Sequence, residues 1–95
     1  MFILTPTTQF KKDVRILEKQ SSKNSTLIKE FLNELEKEGV VGIDKKYLPH
    51  KLKGKYKGNW EAHIKPDLLI IWFEIRADNE ILLVRAGSHS ELLNL

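Results

Sequence analysis

The chain has 95 residues, a formal net charge of +3 and no cysteine. This length suits one domain with a single modest core, so residues 1–95 are expected to form one domain. Hydrophobic residues make up 41% and charged residues 31%, proportions typical of a soluble globular protein. The absence of cysteine excludes disulfides, thiolate-bound zinc and cysteine catalysis. Since nothing in the composition demands an oxidising compartment, a cytoplasmic location is expected.

The apolar runs are too short for a membrane. The longest, Leu68–Phe73, has six residues, whereas a transmembrane helix needs about 20. The N-terminal segment Met1–Pro6 lacks the basic residues that begin a secretory signal. We therefore expect neither an exported form nor a membrane partner.

Positive charge is concentrated in the middle of the chain. Seven lysines and one acid lie between Lys45 and Lys65, a net charge of +6, while the other 74 residues carry −3. Such a segment predicts an anionic partner at one surface, although lysines can also simply solvate a loop. The lysines alone do not distinguish these interpretations, so the neighbouring residues have to be considered.

The first half of the chain predicts a short strand and a helical hairpin. Phe2–Leu4 is apolar and ends at a Thr-Pro pair, which suits a strand. Thr7 or Thr8 can cap a first helix, and Ser25 can cap a second helix that ends at Gly39. Each helix has one apolar face at helical spacing. The faces are Phe10, Val14 and Leu17 in the first helix, and Leu27, Ile28, Phe31, Leu32 and Leu35 in the second.

The second half predicts antiparallel strands. A long connection over Val40–Lys57 carries most of the lysines, and Leu68–Ile75 is apolar on both faces, as expected of a central strand. Ala77–Glu80 predicts a turn, and Ile81–Ala86 predicts the return strand. Before them, apolar and polar residues alternate with the period of a strand. One face has Trp60, Ala62 and Ile64, and the polar face has Glu61, His63 and Lys65.

These elements predict an α+β fold. A short N-terminal strand and a helical hairpin are expected to pack on one face of a small antiparallel β-sheet.

All three histidines can lie outside the core, and strand pairing would bring His63, Asp67 and His89 together. Imidazoles transfer protons at neutral pH because histidine ordinarily titrates near pH 6.5. One could remove the proton of an RNA 2′-hydroxyl while another protonates the leaving 5′-oxygen. Lysines and Arg85 would stabilise the negative transition state. Together with His50, these residues predict a site for metal-free RNA cleavage.

Plainer interpretations exist for the same residues. A lone surface histidine usually has no function, and Asp67 follows a proline in a common turn pair. The sole role of Arg85 could be an ion pair with Glu74 or Glu61. The two tryptophans suit the core better than a base-stacking surface. Histidine and aspartate are also zinc ligands, but their spacing matches no recognised zinc pattern. Residue pattern alone therefore leaves a ribonuclease and a nucleic-acid-binding domain open.

Three ordered motifs are more specific. They are His50-Lys-Leu-Lys-Gly54, then Trp60-Glu-Ala-His-Ile-Lys-Pro-Asp67, then Arg85-Ala-Gly-Ser-His89. In order and interval they resemble the RelE/ParE superfamily of bacterial toxins, and within it the YafQ branch of messenger-RNA interferases. The resemblance implies a RelE-like toxin fold, in which the preceding helical hairpin also fits.

The resemblance also implies a function. Such proteins are toxins of type II toxin–antitoxin systems that cut messenger RNA during translation on the ribosome, through 2′-hydroxyl attack and without a cofactor. Position by position, His50, His63, Asp67 and His89 match the catalytic residues of that branch, and Arg85 matches its phosphate-stabilising arginine. The RNA-facing rim would comprise Lys51, Lys53, Lys55, Lys57 and Lys65.

An antitoxin is the second implied partner. A monomeric toxin would form a hetero-oligomer with an antitoxin whose acidic part orders on binding and covers the lysine-rich surface. Two alternatives stay open: a noncatalytic toxin that binds gyrase, as the ParE branch is thought to do, and a basic RNA-binding module. Neither needs three histidines with Asp67.

The chain departs from the pattern of its relatives in two places. Some relatives have tryptophan after the aspartate, where Leu68 stands, and an aromatic residue near the C-terminus, where Leu92 or Leu93 stands. An aromatic residue could stack on a substrate base, so the codon preference is not predicted.

Overall fold

The computed structural model describes residues 1–75 and 79–93 and confirms the expected α+β fold. Within these residues, five strands and three helices follow one another, and two single-turn 3₁₀ helices, at Lys45–Tyr47 and Gly54–Tyr56, interrupt the lysine-rich connection. In chain order the elements are β1 (Ile3–Pro6), α1 (Thr8–Gln20), α2 (Ser22–Gly42), β2 (His50–Lys51), β3 (Trp60–Lys65), β4 (Leu68–Ile75), β5 (Glu80–Gly87) and α3 (His89–Leu93).

The five strands form one sheet in the order β1-β5-β4-β3-β2. The predicted central strand is indeed central, and β2 to β5 pair with their neighbours in the antiparallel sense. The N-terminal strand lies slightly later than predicted and pairs with β5 in parallel, with Leu4 opposite Ile81. The sheet is therefore mixed. Local sequence pattern cannot predict the pairing of β1 with β5, because the two strands lie at opposite ends of the chain. Residues 77 and 78 of the predicted turn lie outside the described residues.

The helical hairpin has a tighter corner than predicted. Thr7 caps α1, its side-chain oxygen accepting a hydrogen bond from the Phe10 amide at 3.1 Å, as predicted. The prediction of Ser25 as the second cap was wrong, because Ser21 takes this position. Ser21 donates its backbone N–H to Leu17 and accepts from the Asn24 amide through its hydroxyl, so one residue both ends α1 and begins α2. The polar residues that follow it are helical.

The core has two parts, one on each face of the sheet. The helices cover the larger part, where the Phe31 and Trp72 rings pack with centroids 5.6 Å apart. On the opposite face, Leu69 and Ile71 pack against Leu92 of α3. Burial on both faces explains the uninterrupted apolar run of β4. The second face is covered by the short helix α3, and the histidines lie on this face.

Gly39 interrupts α2 at the predicted stop. Its φ of 66° and ψ of −175° are essentially confined to glycine, and one further helical turn follows. A β-carbon here would lie 2.6 Å from the Phe2 ring.

We expect Gly39→Ala to lower the free energy of unfolding by about 3 kcal/mol, from backbone strain and displacement of the Phe2 ring. Gly54→Ala is the matched control, since Gly54 also has a positive φ but no atom within 4 Å of an added β-carbon. Its expected cost is about 1 kcal/mol. Urea unfolding of both variants measures the difference, and equal losses would contradict the role given to the Phe2 contact.

Candidate active site

The three histidines converge on the face of the sheet opposite α1 and α2. His50 lies on the edge strand β2, His63 on the adjacent β3 and His89 at the start of α3, directly after β5. The ring centroids of His50 and His63 are 5.9 Å apart, and those of His63 and His89 are 5.3 Å apart. The predicted convergence of His63 with Asp67 and His89 is therefore present, and His50 joins it.

A buried carboxylate lies beneath two of the imidazoles. Glu61 Oε1 is 3.1 Å from His63 Nε2 and 3.3 Å from His50 Nε2, while only 1% of the residue is exposed. Glu61 shares the face of His63, as predicted, but its burial was not predicted: β3 lies inside the sheet, with His50 opposite Glu61 on one side and Ile71 on the other. Its second oxygen, Oε2, has no hydrogen-bond partner among the described residues.

His50 is held through both ring nitrogens. Its Nδ1 lies 2.9 Å from the Leu48 carbonyl oxygen, and its Nε2 faces Glu61. A carbonyl and a carboxylate are both acceptors, so both ring nitrogens of His50 face acceptors and the ring is fixed in orientation. His63 directs Nε2 to the same carboxylate, which leaves its Nδ1 for a ligand.

Asp67 positions the start of α3. Its Oδ1 accepts a hydrogen bond from the His89 backbone N–H at 3.2 Å, whereas the His89 Nδ1 lies 3.8 Å away. The contact orients the helix that carries His89 and turns Nδ1 towards the carboxylate. The other ring nitrogen, Nε2, is left for a ligand.

Arg85 pairs with a residue that the sequence analysis missed. Its Nε and Nη2 donate to the two carboxylate oxygens of Asp13 in α1 at 2.8 and 3.2 Å, so the alternatives of pairing with Glu74 or Glu61 were wrong. A signal was present: Asp13 lies three residues after Phe10 and four before Leu17, which places a carboxylate on the apolar face of α1.

The ion pair between Asp13 and Arg85 is electrostatically favourable for both groups. Burial raises the pKa of Asp13, but hydrogen bonds from Arg85, the Ala86 backbone and Gln9 outweigh burial and hold that pKa below its ordinary value. Hydrogen bonding to Asp13 raises the pKa of Arg85, against the smaller effect of burial. Both groups are therefore charged at neutral pH.

The five lysines predicted to face RNA are all exposed. Lys51 extends over the Trp60 ring, 5.6 Å from its centroid, and Lys55 lies 5.5 Å from the centroid of Tyr56. The Lys65 Nζ donates to Asn24 Oδ1 at 3.0 Å, which connects β3 to α2. Beside His63, a cleft of about 260 Å³ is lined by Lys46 and Tyr47, among others. These contacts place Lys46 beside His63, whereas Lys51 and Lys65 contact Trp60 and α2.

The leucines at the two positions that depart from the relatives' pattern pack in or against the core. Leu68 is 4% exposed and packs with the helix-facing cluster, and Leu92 of α3 is 1% exposed. Neither of these two side chains offers a free surface to a nucleobase, whereas Leu93 is half-buried against the cluster on the opposite face.

One group of side chains could hold a metal ion. His50, Glu61 and His63 each direct a ligand atom into a space where these atoms lie within 4.8 Å of one another. Two imidazoles and a carboxylate suit zinc or copper. This set differs from the one considered in the sequence, which combined the three histidines with Asp67.

No helix within residues 1–75 and 79–93 is both long and apolar enough to cross a membrane.

Solved structures of similar fold are bacterial toxins. The copper-bound structure of a mutant toxin from Helicobacter pylori is 36% identical, covers 97% of this chain and 99% of its own, and superposes with a TM-score of 0.82. The complex of DinJ with YafQ from Escherichia coli gives 26% identity, coverages of 97% and 98%, and a TM-score of 0.81. Fold and site thus define a toxin of this architecture.

Sequence comparison identifies the family. Residues 3–94 match the model of the bacterial toxin of type II toxin–antitoxin systems, YafQ, and the chain therefore belongs to the YafQ toxin family. The mRNA interferase toxin YafQ of Escherichia coli K12 is 29% identical over 84 residues, 88% of this chain and 87% of that protein. The resemblance inferred from the three motifs is confirmed.

Proposed function

We propose that this protein cuts messenger RNA on the ribosome by histidine acid–base catalysis, without a metal ion or another cofactor. The convergence of His50, His63 and His89 on one face of the sheet, with adjacent ring centroids 5.9 and 5.3 Å apart, is the observation that carries the proposal. A partner-binding module has no need of three imidazoles so close together. Homology to an mRNA interferase supports the same conclusion.

The contacts of each ring support a division of roles. His50, held through both ring nitrogens, contacts the phosphate. His89 is the principal proton-transfer residue through Nε2, and His63 is its counterpart through Nδ1. Asp67 orients His89, and Glu61 holds the other two rings. Which of His63 and His89 is the base follows from how the RNA lies.

The reaction is an internal transfer at phosphorus. One imidazole takes the 2′-hydroxyl proton as the 2′-oxygen bonds to phosphorus, and the other donates a proton to the 5′-oxygen as its bond to phosphorus breaks. The products are a 2′,3′-cyclic phosphate and a 5′-hydroxyl. Arg85 and His50 stabilise the extra negative charge of the transition state. The Lys51, Lys53, Lys55, Lys57 and Lys65 side chains attract the RNA backbone.

An antitoxin would restrain this activity in the cytoplasm. A homologous YafQ was crystallised with DinJ, and a corresponding acidic partner of this chain would cover the lysine-rich surface. In this arrangement residues 1–95 act as one toxin domain that binds its antitoxin as a hetero-oligomer.

The test is cleavage of messenger RNA on purified ribosomes. We expect cuts that persist in 1,10-phenanthroline, which binds zinc and copper but leaves the magnesium that ribosomes require, because the proposed proton transfers need the ring nitrogens rather than a bound metal ion. A message with 2′-deoxyribose at the scissile nucleotide should stay intact, since the attacking group is missing. Loss of cleavage in 1,10-phenanthroline would contradict the metal-free mechanism, and cutting of the deoxy substrate would contradict 2′-hydroxyl attack. Growth arrest without any RNA cleavage would favour gyrase binding.

A further inference from the structure

We propose that Asp13 is a positioning residue of the active site, which acts by holding the guanidinium of Arg85 towards the RNA phosphate. This inference rests on the proposed function of Arg85 and assigns a role to a helix that none of the sequence motifs includes. Asp13 lies in α1, 72 residues before Arg85, and is only 7% exposed.

The geometry restrains the arginine from one side. Two parallel hydrogen bonds join the planar guanidinium to the planar carboxylate, a two-pronged contact that sets orientation as well as distance. The remaining terminal nitrogen, Nη1, lies 3.5 Å from the Tyr56 hydroxyl, beside the basic connection. Asp13 therefore holds the side of the guanidinium that carries Nε and Nη2. The side that carries Nη1 points towards the lysine-rich surface.

Asp13 is itself held more firmly than a surface ion pair requires. Its Oδ2 also accepts the Ala86 backbone N–H at 3.0 Å, and its Oδ1 accepts from the Gln9 side chain at 3.1 Å. The Ala86 contact connects α1 to the strand that carries Arg85 and leads into α3. Four hydrogen bonds thus hold one buried carboxylate, and through this carboxylate α1 fixes the position of the arginine proposed to bind phosphate.

Asp13→Asn provides the first test. The asparagine amide would direct a donor towards the guanidinium, which removes the two-pronged contact with little change in shape. Because a misplacement of about 1 Å can cost about 10²-fold in rate, we expect the single-turnover cleavage rate to fall about 10- to 100-fold. Affinity for a 2′-deoxy analogue of the substrate should fall less, since the arginine acts mainly on transition-state charge.

A double-mutant cycle distinguishes positioning from general loss of structure. In the Arg85→Ala background, Asp13→Asn should lower the cleavage rate no further. Thr7→Val is the control for loss of contact between α1 and β5, because it removes the cap of α1 and two hydrogen bonds to the Leu83 and Val84 carbonyls without contacting Arg85. We expect its rate to stay within about 3-fold of wild type, and thermal unfolding confirms that each variant is folded.

Three outcomes would overturn the proposal: an unchanged rate in Asp13→Asn, an equal loss in the Arg85→Ala background, or an equal loss in Thr7→Val. If Asp13→Asn does not fold, Arg85→Lys keeps the charge but lacks the two-pronged contact, and a wild-type rate there would overturn it as well. If the wild-type protein binds RNA without cutting it, the proposed function fails separately. The same cycle, measured as affinity for the deoxy analogue, then decides the role of Asp13.

Discussion

Replacing His89 with alanine is expected to lower the rate of RNA cleavage by about 10²- to 10⁴-fold, the usual contribution of a general acid or base. Growth arrest on induction should disappear with it. The side chain is about one-third exposed, at 35%, and lies outside both parts of the core, so the fold should persist. The measurements are cleavage on ribosomes, colony growth after induction and thermal unfolding.

Ser90→Ala is the control for His89→Ala. It alters the next residue of the same short helix, which is exposed and has no proposed part in the chemistry. Wild-type cleavage is expected for this variant. If His89→Ala and His63→Ala both remained toxic and no RNA were cut, the catalytic proposal would fail in favour of gyrase binding.

Glu61→Gln is expected to lower cleavage by about 10²-fold, the cost of misplacing catalytic groups by about 1 Å. The change keeps the shape of a buried side chain but removes the charge that His50 and His63 share. One amide oxygen can accept from one ring only, and the amide nitrogen would present a donor to the other. Both imidazoles should therefore lose their fixed orientation, while affinity for the RNA backbone changes little.

Glu74→Gln is the matched control, because Glu74 lies on the neighbouring strand β4, opposite Ile81, and outside the histidine cluster. NMR of the imidazole rings gives a second measurement: the ring signals of His50 and His63 should shift in Glu61→Gln and stay unchanged in Glu74→Gln. Wild-type cleavage by Glu61→Gln would show that the buried carboxylate is not needed to hold the rings.

Local pattern predicted much of the fold. The apolar faces of the helices, the two-faced apolar run of β4 and the stop at Gly39 all follow from residue spacing over a few turns or a few strand positions. The second cap was assigned to Ser25 because the polar segment before it looks like a loop. The residues of this polar segment after Ser21 are helical, because Ser21 both ends α1 through its backbone N–H and caps α2 through its hydroxyl.

The site was predicted in part, for a similar reason. Histidine and aspartate in three ordered motifs indicated the chemistry and the family. The burial of Glu61 was not predicted because alternation in a strand shows which face a residue occupies, but not whether another strand or side chain covers that face. Asp13 was overlooked because its partner is 72 residues away, although its place on an apolar helix face was a visible signal.

The sequence by itself determined the types of the elements, the size of the core, the basic segment and the set of candidate proton-transfer residues, because these depend on composition and short-range periodicity. Only the tertiary structure decided that β1 pairs in parallel with β5, that Glu61 lies beneath two histidines and that Asp13 holds Arg85. Each of these joins segments that are separated in the chain or covers one element with another. Strand register and helix docking set such contacts, and these emerge only when the whole core packs.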